Sequence, residues 1–220
     1  MKVLNLYACL GGNRFLWDNC EVTAVELDRE LARLYQLRFA NDKVIVADAH
    51  QYLLDNYYKF DFVWSSPPCP SHSKARYWNA SNLETNTQPI YPDMILYQEI
   101  IFLEHYFKGK WCVENVEPYY QPLIPGNKRG RHIFWTNFAV PQILSTRQCR
   151  ISGNKDNPNK DELKKLCEFH GIDLSAYKGH QRKDKIARNL VDYEAGLTIF
   201  NAARNTIIAN NIYQPSLFNY

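Results

Sequence analysis

The chain has 220 residues, of which 45% are hydrophobic and 22% are charged, and its formal net charge is +3 at pH 7. This length and composition predict an ordinary globular protein with one domain, or one domain plus a small appendage. A membrane-spanning chain is excluded at this level, because no segment approaches the run of about 18 apolar residues that a transmembrane helix needs.

The cysteines indicate a reducing compartment. They contain no Cys-x-x-Cys pair, and three of them lie in apolar, strand-like surroundings that suit reduced thiols. The six are Cys9, Cys20, Cys69, Cys112, Cys149 and Cys167. We therefore expect a cytoplasmic protein.

Positive charge is concentrated in one segment. Residues 121–190 carry 14 Lys and Arg against 6 Asp and Glu, which leaves the rest of the chain with a net charge of −5. Such asymmetry is typical of a protein that binds a polyanion, because Lys and Arg neutralise phosphates and release counterions. A solvated basic face would have the same composition.

Short β-rich runs alternate with helical patterns in the first half of the chain. Strands are predicted at 3–8, 22–26, 44–47, 61–65 and 111–114. Helices are predicted at 28–39, 49–56 and 93–107. This alternation indicates βαβ units and a parallel sheet covered on both faces. We expect the helix at 93–107 to begin at Asp93 as its N-cap, and to pack on the sheet rather than carry chemistry.

The pattern changes in the second half. A hairpin is predicted at 131–140, with its turn at Thr136-Asn137. A polar, basic stretch follows at 141–184 and contains a short predicted helix at 160–169. The last predicted element is an amphipathic helix at 193–210.

A cysteine follows a Pro-Pro pair directly after the fourth predicted strand. Pro67, Pro68 and Pro70 surround Cys69, and prolines fix φ and remove backbone donors. A thiol presented on a stiff turn at the end of a strand is a candidate nucleophile. The alternative is a buried structural cysteine.

Ligand-type residues follow the first three predicted strands. The first strand runs into the glycine turn Cys9-Leu10-Gly11-Gly12, which would let backbone N–H groups approach a ligand. The second ends at Glu26, which could accept hydrogen bonds from ribose hydroxyls, and the third ends at Asp48, which suits an adenine amino group. Each residue alone could instead be a helix cap or turn residue. The absence of Gly-x-Gly-x-x-Gly favours an adenosine cofactor without a pyrophosphate.

The fifth predicted strand ends in Glu114-Asn115-Val116. Because an apolar run precedes Glu114, its carboxyl group is a candidate proton donor. It could equally cap a helix.

Taken together, these motifs resemble those of the DNA cytosine methyltransferases that act at carbon 5. The shared order is Pro-Cys-x-x-x-Ser after a strand (68–73), Glu-Asn-Val at the end of the next strand (114–116), and Arg129-Gly130-Arg131 before a further strand. The resemblance implies an α/β fold of the Rossmann-like class I S-adenosylmethionine-dependent methyltransferase type, with a mostly parallel central sheet and helices on both faces.

The resemblance also implies catalytic roles. The Cys69 thiolate would add to carbon 6 of a cytosine flipped out of double-stranded DNA, and S-adenosylmethionine would donate a methyl group to carbon 5. Glu114 would hold or protonate ring N3, and Arg131, with Arg129 near it, would stabilise the carbonyl oxygen of the base. Residues 70–92 would form a mobile loop that closes on the base.

Two sets of binding residues follow from the same resemblance. The predicted cofactor-binding residues are Tyr7, Ala8, Cys9, Leu10, Gly11, Gly12, Glu26, Leu27, Asp48, Ala49, Pro67, Asn189 and Val191. The predicted DNA-binding or base-binding residues are Pro68, Ser73, Asn115, Lys128, Arg147 and Arg150.

The chain departs from the family pattern in three ways. His72 stands where the family often has Phe or another apolar residue. Cys9 replaces the first glycine of Phe-x-Gly-x-Gly, which would make the cofactor pocket tighter. The predicted catalytic domain is 1–140 plus 187–210, which leaves only 141–186 as a small, basic target-recognition segment. Sequence selectivity should therefore be short or loose, or supplied by a partner.

The C-terminal tail, residues 211–220, contains Gln214-Pro215-Ser216-Leu217-Phe218. This resembles the pentapeptide that binds the bacterial sliding clamp, in which Gln214, Ser216, Leu217 and Phe218 would be the contact residues. Clamp binding would raise the local concentration on DNA. The alternative is a tail that packs on its own domain.

Several functional alternatives remain open from the sequence. The same chemistry could act on tRNA, or the chain could be an inactive DNA-binding or decoy protein. Cys149, Cys167, His170 and His180 stand in an order that could bind zinc, but their spacing fits no usual finger and we predict no metal site. We expect a monomer in a bacterial or phage-infected cell.

Overall fold

A seven-stranded sheet forms the centre of the protein. The computed structural model describes residues 1–82, 87–149 and 161–204. The strands are β1 (Lys2–Leu6), β2 (Glu21–Glu26), β3 (Lys43–Val46), β4 (Phe62–Ser65), β5 (Lys110–Val116), β6 (Asn127–Arg129) and β7 (His132–Thr136). Their order in the sheet is β3-β2-β1-β4-β5-β7-β6, and the first five are parallel. β7 runs antiparallel to both β5 and β6.

Helices cover both faces of this sheet. They are α1 (Arg29–Arg38), α2 (Ala49–Asn56), α3 (Lys74–Ser81), α4 (Ile95–Tyr106), α5 (Glu162–His170), α6 (Lys183–Arg188) and α7 (Tyr193–Ala203). A short 3-10 turn at Tyr57–Lys59 leads into β4. The predicted doubly covered α/β fold is therefore confirmed.

The alternation of side chains along the strands explains the two cores. Leu4 and Leu6 of β1 pack on the side of α2 and α4, whereas Val3 packs on the opposite side with Phe200 of α7. All four residues of β4 are buried, as expected for a central parallel strand with both faces covered. No helix of the described ranges is long and apolar enough to cross a membrane.

The predicted hairpin turn at Thr136-Asn137 is wrong. The hairpin is formed by β6 and β7, and Gly130 between them has a φ of +60°, a conformation that favours glycine. Asn137 instead binds the start of β5, because its side chain accepts from Trp111 N–H and donates to the Gly109 carbonyl. The segment 138–140 therefore leaves the sheet instead of pairing with it.

One predicted helix begins at a different residue, and two helices of the structure were not predicted. α4 begins at Ile95, and Asp93 accepts a hydrogen bond from the Ile95 N–H although it is not the N-cap residue. α3 was not predicted, because none of its residues is buried and no apolar period marks it. α6, with 6 residues, is shorter than α3 and was also missed.

The described part of the predicted recognition segment does not stand apart from the sheet domain. Leu166 of α5 and Ile186 of α6 share a core with Leu10 and with Leu31 of α1. Arg38 of α1 donates to the carbonyl of His170 at 3.1 Å. Whether 141–186 selects a DNA target stays a prediction.

The close approach of α7 to the glycine turn generates a stability prediction. A Cβ added at Gly196 would lie 2.2 Å from the carbonyl oxygen of Asn13. We expect Gly196→Ala to lower the free energy of unfolding by about 1–3 kcal/mol, because overpacking forces the backbone apart. Chemical denaturation followed by circular dichroism measures this. Helix propensity alone would raise stability by about 1 kcal/mol, so a stabilised variant would contradict the prediction.

Candidate active site

The Cys69 turn follows β4 and is held by its neighbours. The Cys69 carbonyl accepts from the N–H groups of His72 and Ser73 at 3.0 and 3.1 Å, and Ser73 caps α3. From β5, the Asn115 side chain donates to the Pro67 carbonyl at 2.9 Å. Asn115 and Ser73, which were predicted to contact DNA or the base, therefore position the loop that carries the thiol.

A cleft of about 500 Å³ lies at the C-terminal ends of the first four parallel strands. Nine of the predicted site residues line this cleft. These are Tyr7, Cys9, Glu26, Leu27, Asp48, Ala49, Pro68, Cys69 and Asn189. Parallel strands carry their C-terminal residues to one edge of a sheet, which explains why residues far apart in sequence meet here. The predicted cofactor residues Ala8, Leu10, Gly11, Gly12, Pro67 and Val191 are not among the lining residues.

The turn after β1 has an unusual backbone conformation. Tyr7, Cys9 and Gly11 have φ values of 55°, 47° and 66°, and non-glycine residues rarely adopt this conformation. The Glu26 carboxylate holds the turn, because it accepts from the N–H groups of Cys9 and Asp28 at 2.8 and 2.9 Å. Burial raises the pKa of Glu26. Burial, followed by the charge of Glu26, raises the pKa of the Cys9 thiol, which is therefore protonated at neutral pH.

Two aspartates at the cleft cap helices. Asp28 accepts from the N–H groups at the start of α1, and Asp48 accepts from the Gln51 N–H at the start of α2. Asp28 also accepts from the Tyr177 hydroxyl at 2.9 Å and from the Gln181 side chain at 3.0 Å. Residues 177–181, which lie between α5 and α6, therefore close one side of the cleft.

Sequence reasoning missed Asp93, Gln181 and Lys185, which also line the cleft. Gln181 and Lys185 come from a segment about 150 positions from the strand ends they meet, and no local pattern marked them. Asp93 was noted only as a helix cap.

A buried carboxylate lies below the cleft. Glu99 of α4 is fully buried, and it accepts from the hydroxyls of Tyr7, at 2.7 Å, and Ser65. His50 Nδ1 lies 3.2 Å from the same carboxylate, and this hydrogen bond raises the pKa of His50. The helix expected only to pack thus supplies a polar anchor for Tyr7.

Opposing charges act on the Cys69 thiol. Burial, and then the carboxylate of Glu114, raises its pKa, whereas Lys185 and Arg131 lower it. The net effect is a pKa above the ordinary value, so the thiol is largely protonated in this state of the protein. Glu114, Arg131 and Lys185 are therefore close enough to change the pKa of this thiol.

Glu114 lies on β5 and is 7% exposed. Its carboxylate is 3.7 Å from His132 Nε2, and burial lowers the pKa of His132. The neighbouring imidazole is therefore neutral at pH 7 and does not compensate the charge of Glu114.

The two predicted catalytic arginines have different surroundings. Arg131 donates to the Arg188 carbonyl at 3.2 Å and is exposed. Arg129 donates to the carbonyls of Lys128, Val140 and Pro141, so it ties β6 to the segment after β7. Both line a second cavity of about 640 Å³, as does Val191.

The remaining predicted DNA-binding residues divide into three cases. Lys128 is exposed beside Glu117 at 2.9 Å. Arg147 pairs with Asp192 at 2.6 Å and packs over the Tyr193 ring, so it is engaged inside the protein. Arg150 and the clamp-binding residues Gln214, Ser216, Leu217 and Phe218 lie outside the described residues.

Among residues 1–82, 87–149 and 161–204, no group of three or more His, Cys, Asp or Glu side chains could hold a metal ion.

The charges around Cys69 predict a change in its reactivity. Glu114→Gln removes a charge that raises the pKa of the thiol, so more thiolate forms at mildly alkaline pH. We expect alkylation of Cys69 by iodoacetamide to become several-fold faster, as measured by peptide mass spectrometry. Glu21→Gln, at the opposite edge of the sheet, is the control. Equal rates in the two variants would contradict the assigned electrostatics.

Comparison with known proteins gives a family match. Residues 1–117 match the model of a family described as C-5 cytosine-specific DNA methylase. No curated protein matches the sequence.

Solved structures give a fold match. An Entamoeba histolytica methyltransferase aligns over 94% of this chain and 98% of its own, with a TM-score of 0.50 and 10% identity. A Spodoptera frugiperda DNMT2 variant aligns over 52% of this chain, with a TM-score of 0.37 and 20% identity. A SAM-dependent methyltransferase of Agrobacterium tumefaciens aligns over 55%, with a TM-score of 0.38 and 14% identity. The chain covers only 35% and 40% of those two structures. The first alignment supports the Rossmann-like methyltransferase fold.

Proposed function

We propose, since the chain belongs to the family of C-5 cytosine-specific DNA methylases, that it transfers a methyl group from S-adenosylmethionine to carbon 5 of cytosine in double-stranded DNA. The observation that carries this proposal is the position of Cys69. Its thiol lies on the wall of the same cleft as the strand-end residues Glu26 and Asp48. Nucleophile and cofactor-type residues therefore share one space.

The cleft fits a cationic adenosine cofactor. Its walls carry four carboxyl groups, those of Glu26, Asp28, Asp48 and Asp93, which favour a positively charged ligand. Glu26 and Asp48 would hold the ribose and the adenine, and Tyr7 and Asn189 would complete the walls. S-adenosylmethionine supplies an electrophilic methyl group when bound. The extra side chain of Cys9 reduces the space near the glycine turn.

Cys69 provides covalent catalysis. The thiol gives its proton to solvent water, Sγ bonds to carbon 6 of the cytosine, and the electron pair of the 5,6 double bond becomes available at carbon 5. After carbon 5 has gained the methyl group it gives its proton to solvent water, the electron pair of that C–H bond restores the double bond, and the bond between Sγ and carbon 6 breaks with its electron pair on sulfur. Glu114 protonates or holds N3, and Arg131 stabilises the carbonyl oxygen of the base.

The position of Glu114 links activation of the thiol to arrival of the base. Its carboxylate raises the pKa of Cys69 while no base is present. A cytosine that shares a proton with Glu114 neutralises that charge, so the pKa of the thiol falls, because Arg131 and Lys185 still lower it. Arrival of a target therefore increases the fraction of thiolate.

Replacement of the nucleophile tests the proposal. We expect Cys69→Ala to reduce methyl transfer to background and to abolish covalent trapping on DNA that contains 5-fluorocytosine, because the variant lacks the Sγ that adds to carbon 6. Radiolabelled methyl transfer and gel electrophoresis are the measurements. Cys20→Ala, which changes a cysteine at the opposite edge of the sheet, should retain activity. Full activity of Cys69→Ala would refute the proposal.

The substrate class needs a separate comparison. We expect methylation of cytosine-containing duplex DNA and no methylation of tRNA transcripts at equal concentration, with bisulfite sequencing of the products. Methylated tRNA together with unmodified DNA would support methyl transfer to carbon 5 of cytosine but would show that the substrate is tRNA and not DNA.

A further inference from the structure

Helix α3 presents aromatic side chains beside the active site. It begins five residues after Cys69, and none of its residues is buried. Trp78 is 65% exposed and Tyr77 is 47% exposed. The Tyr77 ring stacks on the ring of Tyr119, with centroids 4.5 Å apart and planes 6° from parallel. We call Tyr77, Trp78 and Tyr119 the aromatic surface. Trp78 follows Tyr77 on the same exposed helix, and exposed aromatic side chains this close in the chain suit an interaction site.

The aromatic surface is fixed to the turn that carries the nucleophile. Ser73, which bonds to the Cys69 carbonyl, caps α3. The Tyr119 N–H donates to the His72 carbonyl at 3.0 Å. Tyr77, Tyr119 and Ser73 line the same small crevice. A ligand on this surface would therefore lie next to a ligand at Cys69.

Positive charge borders the aromatic surface. Lys74 lies one helical turn before Trp78, so their side chains are neighbours on the helix. The amines of Lys74 and Lys128 lie 3.1 and 2.9 Å from a single carboxylate, that of Glu117. One acid between two lysines leaves an excess of positive charge. Rings flanked by such charge suit a base and its phosphates.

We infer that the aromatic surface, with Lys74 and Lys128, binds an unpaired nucleobase next to the target cytosine on the same DNA strand. This inference rests on the proposed function and specifies its substrate. Aromatic rings stack on any base that is free of its neighbours. Bases within an intact duplex are already stacked, so the surface favours DNA that is distorted or open around the target. The preferred substrate is therefore a cytosine with unpaired neighbours.

Three DNA ligands of one sequence test the inference. They are a duplex, the same duplex with a bubble of a few mismatches around the cytosine, and the single strand. Fluorescence anisotropy of labelled DNA measures the dissociation constants of the full chain. We expect the wild type to bind the bubble more tightly than the duplex. Trp78→Ala should weaken bubble binding about tenfold, the effect of losing one base stack, and should leave duplex binding within about twofold.

Matched variants separate stacking from other effects. Trp78→Tyr keeps a ring and should restore most of the affinity for the bubble. Tyr58→Ala removes an exposed aromatic residue that precedes β4, at the opposite edge of the sheet, and should change nothing. The double variant Lys74→Ala and Lys128→Ala should weaken the binding of all three DNA ligands and should reduce the salt dependence of their dissociation constants.

The outcomes distinguish this inference from the proposed function, because binding requires no methyl transfer. Equal losses on bubble and duplex with Trp78→Ala, or no loss on either, would overturn the inference even if DNA is methylated. A selective loss on the bubble would support it even if no methylation is observed. Tighter, Trp78-dependent binding to RNA of the same sequence would overturn the assignment to DNA.

Discussion

One buried carboxylate organises the C-terminal edge of the sheet. Glu99 is fully enclosed, and a charge without solvent is strongly unfavourable unless donors surround it. Tyr7, Ser65 and His50 provide these donors from the end of β1, from β4 and from α2. Tyr7 and His50 share one oxygen of the carboxylate and Ser65 donates to the other, so removal of Ser65 would leave that second oxygen without its donor. The carboxylate therefore fixes the relative positions of three segments that build the cleft, and it offsets the strain of the Tyr7 backbone.

The same cleft contains two half-buried thiols, those of Cys9 and Cys69. Burial and the carboxylate of Glu26 raise the pKa of Cys9. Burial and the carboxylate of Glu114 raise the pKa of Cys69, but Lys185 and Arg131 lower it. Residues remote in sequence thus make the two thiols different. The distinction follows from the positions of charged side chains and not from the cysteines themselves.

Local pattern and strand direction explain what the sequence could predict. The five parallel strands have clear apolar runs, and their direction gathers Glu26, Asp48 and Cys69 at one edge. Glu99 was missed because the apolar spacing of α4 indicated packing alone and the donors to Glu99 lie on other elements. The hairpin was misplaced because Gly130, and not Thr136-Asn137, has the left-handed conformation that a tight turn needs. The roles of Arg129 and Arg147 depend on carbonyl and carboxylate partners that only the folded chain brings near.

Asp28 connects the cleft to residues 177–181, which pack beside it. Its carboxylate caps α1, lines the cleft and accepts hydrogen bonds from Tyr177 and Gln181. Two equilibria therefore share one group: occupancy of the cleft and attachment of the segment. Thermodynamic reciprocity requires that whatever free energy a ligand adds to that attachment, the attachment adds equally to the affinity for the ligand. Substitutions that disturb the packing of Tyr177, which does not itself line the cleft, would then change the affinity of the cleft for its ligand.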